Sequence, residues 1–431
     1  MHFGPNTFTG KEWGHGDEKT EVFNPSALDT DQWCRVAKAA GARGIIITAK
    51  HHDGFCLWPS AYSTHTVRES KWRNGQGDVL KELSASCRKW GLKFGVYLSP
   101  WDRNHPSYGT PAYNDVYANT LQEIFQRYGP IWELWWDGAN GEGPNGKKQV
   151  YDFPRFEKLV RKLSPQTVIF SDIGPDTRWV GNESGIAGTT NWNTLDTAGF
   201  KRGEGGPPVD TLNSGNRYGR HWIPAECDVS IRPGWFYHAE EDAKVKSGET
   251  LFQLYLKSVG RGANLLLNVP PDTRGLIHEN DSAALVRFAQ LRQLLAPNKQ
   301  LKAKATVLQH NVKKPAPTLL DKDLATAVSL ILPNLSSAAL EFESPTRLNC
   351  VVLAEDLRKG QSVAGFTIKL YDSKGQLLRT VAGTTIGQKR IVSFETTTAS
   401  RLVLELTASE QRPIKLATLQ AYLLPEDMIE K

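Results

Sequence analysis

The sequence predicts an α/β protein of two domains, a (β/α)8-type, TIM-like barrel with irregularities at residues 1–298 and an antiparallel β-sandwich at residues 299–431. Strand-like and helical segments alternate up to about residue 296, and no glycine-rich dinucleotide fingerprint follows the early strands. All 13 tryptophans lie between Trp13 and Trp235. After Pro297 the chain consists of short β-branched and leucine-rich runs between turn residues, as at 366–370 and 401–405, a pattern typical of antiparallel sheets.

The first part contains the elements that a barrel requires. Its predicted strands lie at residues 44–48, 93–98, 131–136, 167–171 and 263–269. The first is continuously apolar, which is typical of parallel strands buried on both faces. Helical patterns lie at residues 30–40, 78–90, 115–128, 154–163 and 248–260, and Asp78 is the expected N-cap of the second. Residues 173–245 are irregular, so we expect a distorted barrel whose later strands the sequence does not locate.

Composition and charge exclude several classes of function. The net charge is +6 over 431 residues and the basic residues are scattered, which disfavours nucleic-acid binding. No run of about 18 apolar residues predicts a membrane span. The five cysteines have no CxxC spacing, so we expect buried small apolar residues and not a zinc site or a disulfide framework.

The active site of such a barrel lies beyond the C-terminal ends of its strands. Asp137 follows the 131–136 strand. A lone aspartate there is often only a helix cap, but two tryptophans precede it and Gly138, which allows close backbone approach, follows it. These neighbours favour a reactive carboxylate. We choose Glu183, in a loop with aromatic residues and glycines, as its partner, and Glu226 is the competitor unless it only pairs with Arg232.

Two adjacent histidines, His51 and His52, follow the first predicted strand. Adjacent side chains of an extended segment point in opposite directions, and no third ligand is suitably spaced, which disfavours a metal site. Hydrogen bonding to a polyhydroxylated ligand is the preferred interpretation, and a structural role stays open. The tryptophan-rich composition also suits a sugar ligand, since flat rings stack on the apolar face of a pyranose. We expect about half of the tryptophans to fill the core instead.

Several segments together resemble the glycoside hydrolase family 29 α-L-fucosidases. The resemblance covers almost all of residues 1–295 and is carried by His-Phe-Gly-Pro-Asn-Thr at 2–7, Lys-His-His-Asp-Gly-Phe at 50–55, Tyr-Leu-Ser-Pro-Trp-Asp at 97–102, Trp-Trp-Asp-Gly at 135–138 and Leu-Leu-Leu-Asn-Val-Pro-Pro-Asp at 265–272. It implies a retaining glycosidase on an irregular (β/α)8 barrel, with Asp137 as nucleophile and without a metal or organic cofactor.

The resemblance also implies the remaining site residues. Trp-Val-Gly-Asn-Glu at 179–183 is similar to the acid/base segment of the subgroup that favours α-1,3 and α-1,4 fucosides, which makes Glu183 the acid/base. The fucose pocket would then be formed by His2, Glu12, Trp13, His51, His52, Tyr97, Trp135 and Arg178, with Trp58 or Trp235 over the methyl group. The expected partner is a fucosylated oligosaccharide or glycoconjugate, and the oligomeric state is left open. We expect a secreted or periplasmic protein whose signal segment lies outside this chain.

The second part resembles a galactose-binding-like β-sandwich, loosely and through residues 384–390. Because it contains no tryptophan that could serve as a stacking platform, we expect it to buttress the barrel and not to bind sugar. Three rival functions stay open: a fucosidase of broader linkage range, a hydrolase of the same type acting on another hexose, and a carbohydrate-binding protein without catalysis.

Overall fold

A computed structural model describes residues 1–321, 323–331, 337–409 and 413–430. The helices of the described residues are α1 (Asn6–Thr9), α2 (Thr30–Ala39), α3 (Val79–Trp90), α4 (Ala112–Tyr128), α5 (Phe153–Leu163), α6 (Val209–Ser214), α7 (Gly248–Lys257) and α8 (Glu279–Arg292). Short 3-10 segments occur at Thr20–Val22, Val67–Glu69, Trp72–Gly75, Ala239–Lys244, Gln293–Leu295, Pro297–Lys299, Pro317–Leu320, Leu357–Lys359 and Glu426–Met428.

The first part is built on a parallel sheet. Its strands, in chain order, are β1 (Gly44–Lys50), β2 (Lys93–Leu98), β3 (Glu133–Trp135), β4 (Val168–Ser171), β5 (Thr177–Trp179), β6 (Thr194–Leu195), β7 (His221–Trp222), β8 (Ala225–Ser230) and β9 (Asn264–Asn268). The sheet order is β1-β2-β3-β4-β5-β8-β9, with every neighbouring pair parallel, while β6 and β7 form a separate antiparallel pair. The C-terminal ends of these parallel strands therefore lie at one edge of the sheet, and residues that follow successive strands come together there.

The predicted elements of the first part are confirmed to within a few residues at each end. β2 spans the predicted residues 93–98, and α2 and α3 occupy the predicted helical segments. The Asp78 side chain accepts a hydrogen bond from the Lys81 amide and caps α3, as expected. β5 and β8 are the strands of the parallel sheet that lie in the irregular region 173–245. β5 has only three residues, too few to show a periodic pattern.

The two edges of the parallel sheet approach each other at the first two residues. The Met1 nitrogen donates to the carbonyl oxygen of Ile46 at 2.6 Å, and the Thr48 amide donates to Met1 at 3.0 Å, as in a parallel strand pair. The next amide, of His2, donates to Oδ1 of Asn268 at the end of β9, at 2.9 Å. The parallel α/β class is confirmed, and seven hydrogen-bonded strands of the described residues stand where the sequence predicts eight.

The second part is antiparallel throughout the described residues, and it has a hydrophobic core of its own. Its strands are β10 (Lys304–Gln309), β11 (Val312–Pro315), β12 (Val328–Leu330), β13 (Ser337–Glu355), β14 (Val363–Tyr371), β15 (Leu377–Gly383), β16 (Arg390–Ala408) and β17 (Ile414–Tyr422). β13 and β16 pair with each other along two stretches separated by register shifts, so all eight strands join one hydrogen-bonded sheet. The predicted boundary at 298/299 lies in the segment Pro297–Lys299, between α8 and β10.

Residues 384–390, the segment that resembles a galactose-binding module, face the first part of the chain. The Thr385 hydroxyl accepts from the Asn191 amide at 2.8 Å, and the Arg390 guanidinium donates to the carbonyl of Thr189 at 2.8 Å. This segment is therefore occupied by contacts with the parallel-sheet part. All five cysteines are buried and free, as expected. Among the described residues, no helix combines the length and apolar character that crossing a bilayer requires.

Candidate active site

Asp137 lies two residues beyond the end of β3, at the C-terminal edge of the parallel sheet. The Tyr97 hydroxyl donates to its Oδ2 at 2.8 Å, and the Ala139 amide donates to its Oδ1 at 2.7 Å. Burial raises the pKa of the carboxyl, and these two hydrogen bonds act in the opposite direction. About a quarter (26%) of the side-chain surface stays exposed. The carboxylate is thus held through both oxygens and is still open to a ligand.

His52 presents an unprotonated ring nitrogen to the same pocket. The Ser99 hydroxyl donates its hydrogen to the carbonyl of Trp101 at 2.8 Å, so it can only accept from Nδ1 of His52, at 2.7 Å. Burial lowers the pKa of His52 to about 3, which keeps the ring neutral. Nε2 therefore carries a lone pair, 3.9 Å from Oδ2 of Asp137, and can accept a hydrogen bond from a ligand hydroxyl.

His51 and His2 extend this row of neutral imidazoles. The His51 ring lies 4.1 Å from that of His52 and 5.6 Å from that of His2, and its buried Nδ1 has no hydrogen-bond partner among the described residues. His2 Nδ1 lies 3.1 Å from Oδ1 of Asn268. Burial, and for each ring the charge of its neighbour, lowers the pKa of both histidines well below the ordinary value. A buried nitrogen without a partner suits a polyhydroxylated ligand.

Trp135 packs beside Tyr97, the residue that bonds Asp137. Its ring stacks on Tyr97 at 5.3 Å and on Phe170 at 4.1 Å, and its indole nitrogen donates to Oε1 of Glu226 at 3.0 Å. Glu226 is fully buried, and its other oxygen accepts from the Asn264 amide group at 2.7 Å. Glu226 thus fixes the orientation of the Trp135 ring by accepting a hydrogen bond from its indole nitrogen.

The predicted structural alternative for Glu226, an ion pair with Arg232, is wrong. The Arg232 guanidinium donates to Asp281 at 3.0 Å and to Asp242 at 2.9 Å. Two carboxylates from other elements pair with this buried cation, and Glu226 instead bonds the neutral donors of Trp135 and Asn264.

Glu12, Trp13 and Trp235 line the mouth of the pocket. The carboxylate of Glu12 accepts from the backbone amide of Trp235 at 2.7 Å and lies 2.6 Å from Nε2 of His238. Glu12 therefore holds the loop that carries Trp235. Trp13 is 54% exposed and meets the His52 ring edge-on at 5.4 Å, at the rim of the pocket.

Glu183 reaches the same mouth from the loop that follows β5. Its carboxylate is exposed, and its Oε2 accepts from the indole nitrogen of Trp235 at 3.3 Å. The Trp235 ring lies 5.2 Å from that of His2. The loop is shaped by Asn182, whose Oδ1 accepts from the amide of Ser184 at 3.1 Å. Glu183 thus borders the pocket that contains the row of imidazoles, with its oxygens largely free.

Two predicted pocket residues do not reach the pocket. Arg178 is completely buried, and its guanidinium donates to backbone carbonyls of Leu212, Ile223 and Trp192 and to the side chain of Asn191. Trp58 is also completely buried, and its indole nitrogen donates to Glu123 of α4 at 2.8 Å. Both assignments are wrong, because these polar groups are satisfied within the protein and have no surface left for a ligand.

Sequence reasoning missed four residues at the site: Ser99, Asn268, Phe236 and Asp172. Ser99 directly follows β2 and Asn268 is the last residue of β9, so the signal that selected Asp137, a polar residue at a strand end, also applies to them. Asp172 follows β4 in the same way. Phe236, 5.3 Å from His2, lies in a loop and had no such signal. Among the described residues, no group of three or more His, Cys, Asp or Glu side chains is arranged to hold a metal ion.

Comparison with known proteins decides the family. Residues 2–293 match the family model described as alpha-L-fucosidase. The chain is 42% identical over 413 residues to alpha-L-fucosidase 1 of Arabidopsis thaliana, which covers 93% of this chain and 80% of the relative. The chain belongs to the alpha-L-fucosidase family, glycoside hydrolase family 29. It is an alpha-L-fucosidase, and so a glycoside hydrolase.

Solved structures of this family share the fold. A glycoside hydrolase 29 family member from an unknown rumen bacterium superimposes with a TM-score of 0.84 at 40% identity, covering 99% of this chain and 74% of the other. A glycoside hydrolase 29 fucosidase of Ruminococcus gnavus, in complex with fucose, superimposes with a TM-score of 0.87 at 28% identity, covering 100% of this chain and 92% of the other.

Proposed function

We propose that this alpha-L-fucosidase is a retaining exo-enzyme that removes terminal α-1,3- and α-1,4-linked fucose from oligosaccharides or glycoconjugates. The observation that carries the proposal is the environment of Asp137. Its carboxylate is held through both oxygens, remains partly exposed, and faces neutral imidazoles that can recognise sugar hydroxyls.

In the first step Asp137 attacks the anomeric carbon of fucose and forms a covalent fucosyl ester. The Tyr97 hydroxyl and the Ala139 amide fix the direction of the attacking oxygens. Because burial raises the pKa of Asp137, its anion is more basic than an exposed carboxylate, while activity is lost as the pH falls through that pKa. The ester removes the charge from Asp137.

Glu183 is our candidate for the acid/base. It would protonate the leaving oxygen and then take a proton from the water that cleaves the ester. Its exposed carboxylate at the pocket mouth can meet a glycosidic oxygen, whereas the buried carboxylate of Glu226 already accepts from Trp135 and Asn264. Retention requires the Asp137 and Glu183 carboxylates to stand about 5–5.5 Å apart in the complex.

The row His2, His51 and His52 is the candidate binding surface for fucose hydroxyls. His52 Nε2 can accept a hydroxyl hydrogen, and the unpartnered Nδ1 of His51 can make a further bond. Trp235, half-buried beside His2, can cover the methyl group, the role that Trp58 does not take. That the Ruminococcus gnavus relative was solved in complex with fucose supports fucose as the bound sugar.

The preference for α-1,3 and α-1,4 linkages rests on the Trp-Val-Gly-Asn-Glu segment that ends at Glu183. A broader linkage range is the second candidate. We further propose a secreted or periplasmic location and a buttressing role for the C-terminal sheet. The contacts of Thr385 and Arg390 with residues 189–191, in the chain that follows the Glu183 loop, support the latter.

Product analysis by proton NMR tests the proposal. Fucosylated trisaccharides that differ only in an α-1,2, α-1,3 or α-1,4 linkage are compared, and the anomer first released is recorded. We expect early accumulation of α-fucose from the α-1,3 and α-1,4 substrates. Early release of β-fucose would contradict retention, and equal rates on the α-1,2 substrate would favour the broader linkage range.

A further inference from the structure

Asp172 is a second carboxylate beside the nucleophile, and none of the steps above uses it. We propose that Asp172 binds the leaving sugar of the substrate, by accepting a hydrogen bond from one of its hydroxyl groups. This inference rests on the proposed function, because it takes Asp137 as the nucleophile and Glu183 as the acid/base.

Packing places the Asp172 carboxylate against the residue that follows Asp137. A Cβ atom built on Gly138 would lie 2.0 Å from Oδ2 and 2.7 Å from Oδ1 of Asp172. Both oxygens therefore lie over Gly138, and a side chain at that position would displace them. The glycine of the Trp-Trp-Asp-Gly segment thus leaves room for a second carboxylate beside Asp137.

The Asp172 carboxylate is available for a ligand. It is half-buried, and none of the hydrogen bonds or ion pairs found among the described residues involves it. Burial, together with the negative charge of Asp137, raises the pKa of Asp172 to about 6. Asp53 is less available to a ligand than Asp172, since Asp53 is fully buried and its Oδ1 accepts a hydrogen bond from the Phe55 amide at 2.8 Å. A partly desolvated carboxylate gains most from a donor supplied by the substrate.

The order of the strands indicates which part of the substrate Asp172 meets. His51 and His52 follow β1 and Tyr97 lies in β2, on one side of Asp137 in the order of the strands. Asp172 follows β4 on the other side, between Asp137 and the loop after β5 that carries Glu183. Because the bond to the leaving oxygen breaks on the side of the acid, the leaving sugar lies on the Asp172 side.

The test compares substrates with and without a leaving sugar. Asp172→Ala is assayed on an α-1,4-fucosylated trisaccharide and on 4-nitrophenyl fucoside, whose leaving group has no sugar hydroxyl. We expect kcat/KM to fall about 10- to 100-fold for the trisaccharide, the range for a hydrogen bond to a charged group, and less than about threefold for the aryl fucoside. Asp172→Asn, which keeps an acceptor oxygen, should recover part of the trisaccharide activity.

The matched control is Asp210→Ala, which removes an exposed aspartate of α6 and should change neither rate. A trisaccharide in which the contacted hydroxyl of the leaving sugar is replaced by hydrogen should react equally with wild type and Asp172→Ala. Equal losses on the trisaccharide and the aryl fucoside would overturn the proposal, since Asp172 would then act through Asp137. A wild-type enzyme that turns over no fucoside would refute the proposed function instead.

Discussion

The two sides of Asp137 differ in the burial and in the charge of their side chains. On the side of β1 and β2, the rings of His51 and His52 are buried and neutral, and Ser99 sets the proton position of His52. On the side of β4 and β5, the carboxylate of Glu183 accepts one hydrogen bond, from the Trp235 indole nitrogen. The carboxylate of Asp172 accepts none among the described contacts. The fixed side suits one sugar, fucose, and the open side suits proton transfer and a leaving group that varies.

The largest expected effect is at the point where the two sides meet. Asp137→Ala should lower kcat by about 10⁴-fold or more, because no covalent ester can form. Added azide should restore part of the rate and give β-fucosyl azide, since the small anion fits the space left by the carboxylate. The measurement is kcat on 4-nitrophenyl fucoside with and without azide, with Asp210→Ala as a control. Near-normal activity without azide would refute the assignment.

The second effect concerns the open side. Glu183→Gln should slow a trisaccharide about 10²- to 10⁴-fold, because its sugar leaving group needs a proton, and should slow 4-nitrophenyl fucoside much less in the ester-forming step. Burst kinetics on the aryl substrate separate the two steps. Glu240→Gln, an exposed residue, is the control. Equal losses of rate on both substrates would mean that a carboxylate other than Glu183 is the acid/base.

The third effect concerns the fixed side and is seen in stability. His52 binds a proton below about pH 6.5 when unfolded, but only near pH 3 when folded, so its contribution to stability is present above pH 6.5 and is lost as the pH falls. His52→Asn should reduce the pH dependence of the unfolding free energy by about 1.4 kcal/mol per pH unit between pH 6 and 4.

Urea titrations at several pH values measure this dependence. The matched control is His221→Asn, which replaces an exposed histidine of β7. An unchanged slope in His52→Asn would mean that His52 is charged in the folded protein.

The smallest expected effect separates a structural tryptophan from one of the pocket. Trp58→Phe should cost about 1–2 kcal/mol of unfolding free energy, since the bond to Glu123 is lost, and should leave KM unchanged. Trp235→Phe should raise KM instead, because that ring borders His2 and Glu183. A raised KM in Trp58→Phe with unaltered stability would reverse this distinction.

The sequence predicted those parts of the fold whose patterns are local. The apolar runs of β1 and β2 and the cap at Asp78 depend on neighbouring residues, so their bounds could be predicted closely. β5 could not be located because its three residues are positioned by pairing with β4 on one side and β8 on the other. β4 and β8 lie far from each other in the chain, so no local pattern shows this pairing. Likewise, Met1 completes the edge of the sheet through long-range backbone bonds that no periodicity shows.

The site was predicted where chemistry coincides with a strand end, as at Asp137 and His52. Arg178 shows the limit of that reasoning, since a conspicuous cation beside the site proved to be satisfied by four acceptors from distant segments. Asp172 shows the converse. Asp172 follows a strand end as Asp137 does, and only its packing against Gly138 shows that the two carboxylates are neighbours.

Covalent trapping tests the central claim, that Asp137 is the nucleophile of a retaining reaction. The enzyme is incubated with 2-deoxy-2-fluoro-fucosyl fluoride, whose fluorine slows hydrolysis of the ester, and is then digested for mass spectrometry. We predict one added fluorofucosyl group on the peptide that contains Asp137, located on that residue by fragmentation. Labelling of Asp172 or Glu183 instead, or inactivation without any label, would contradict the account.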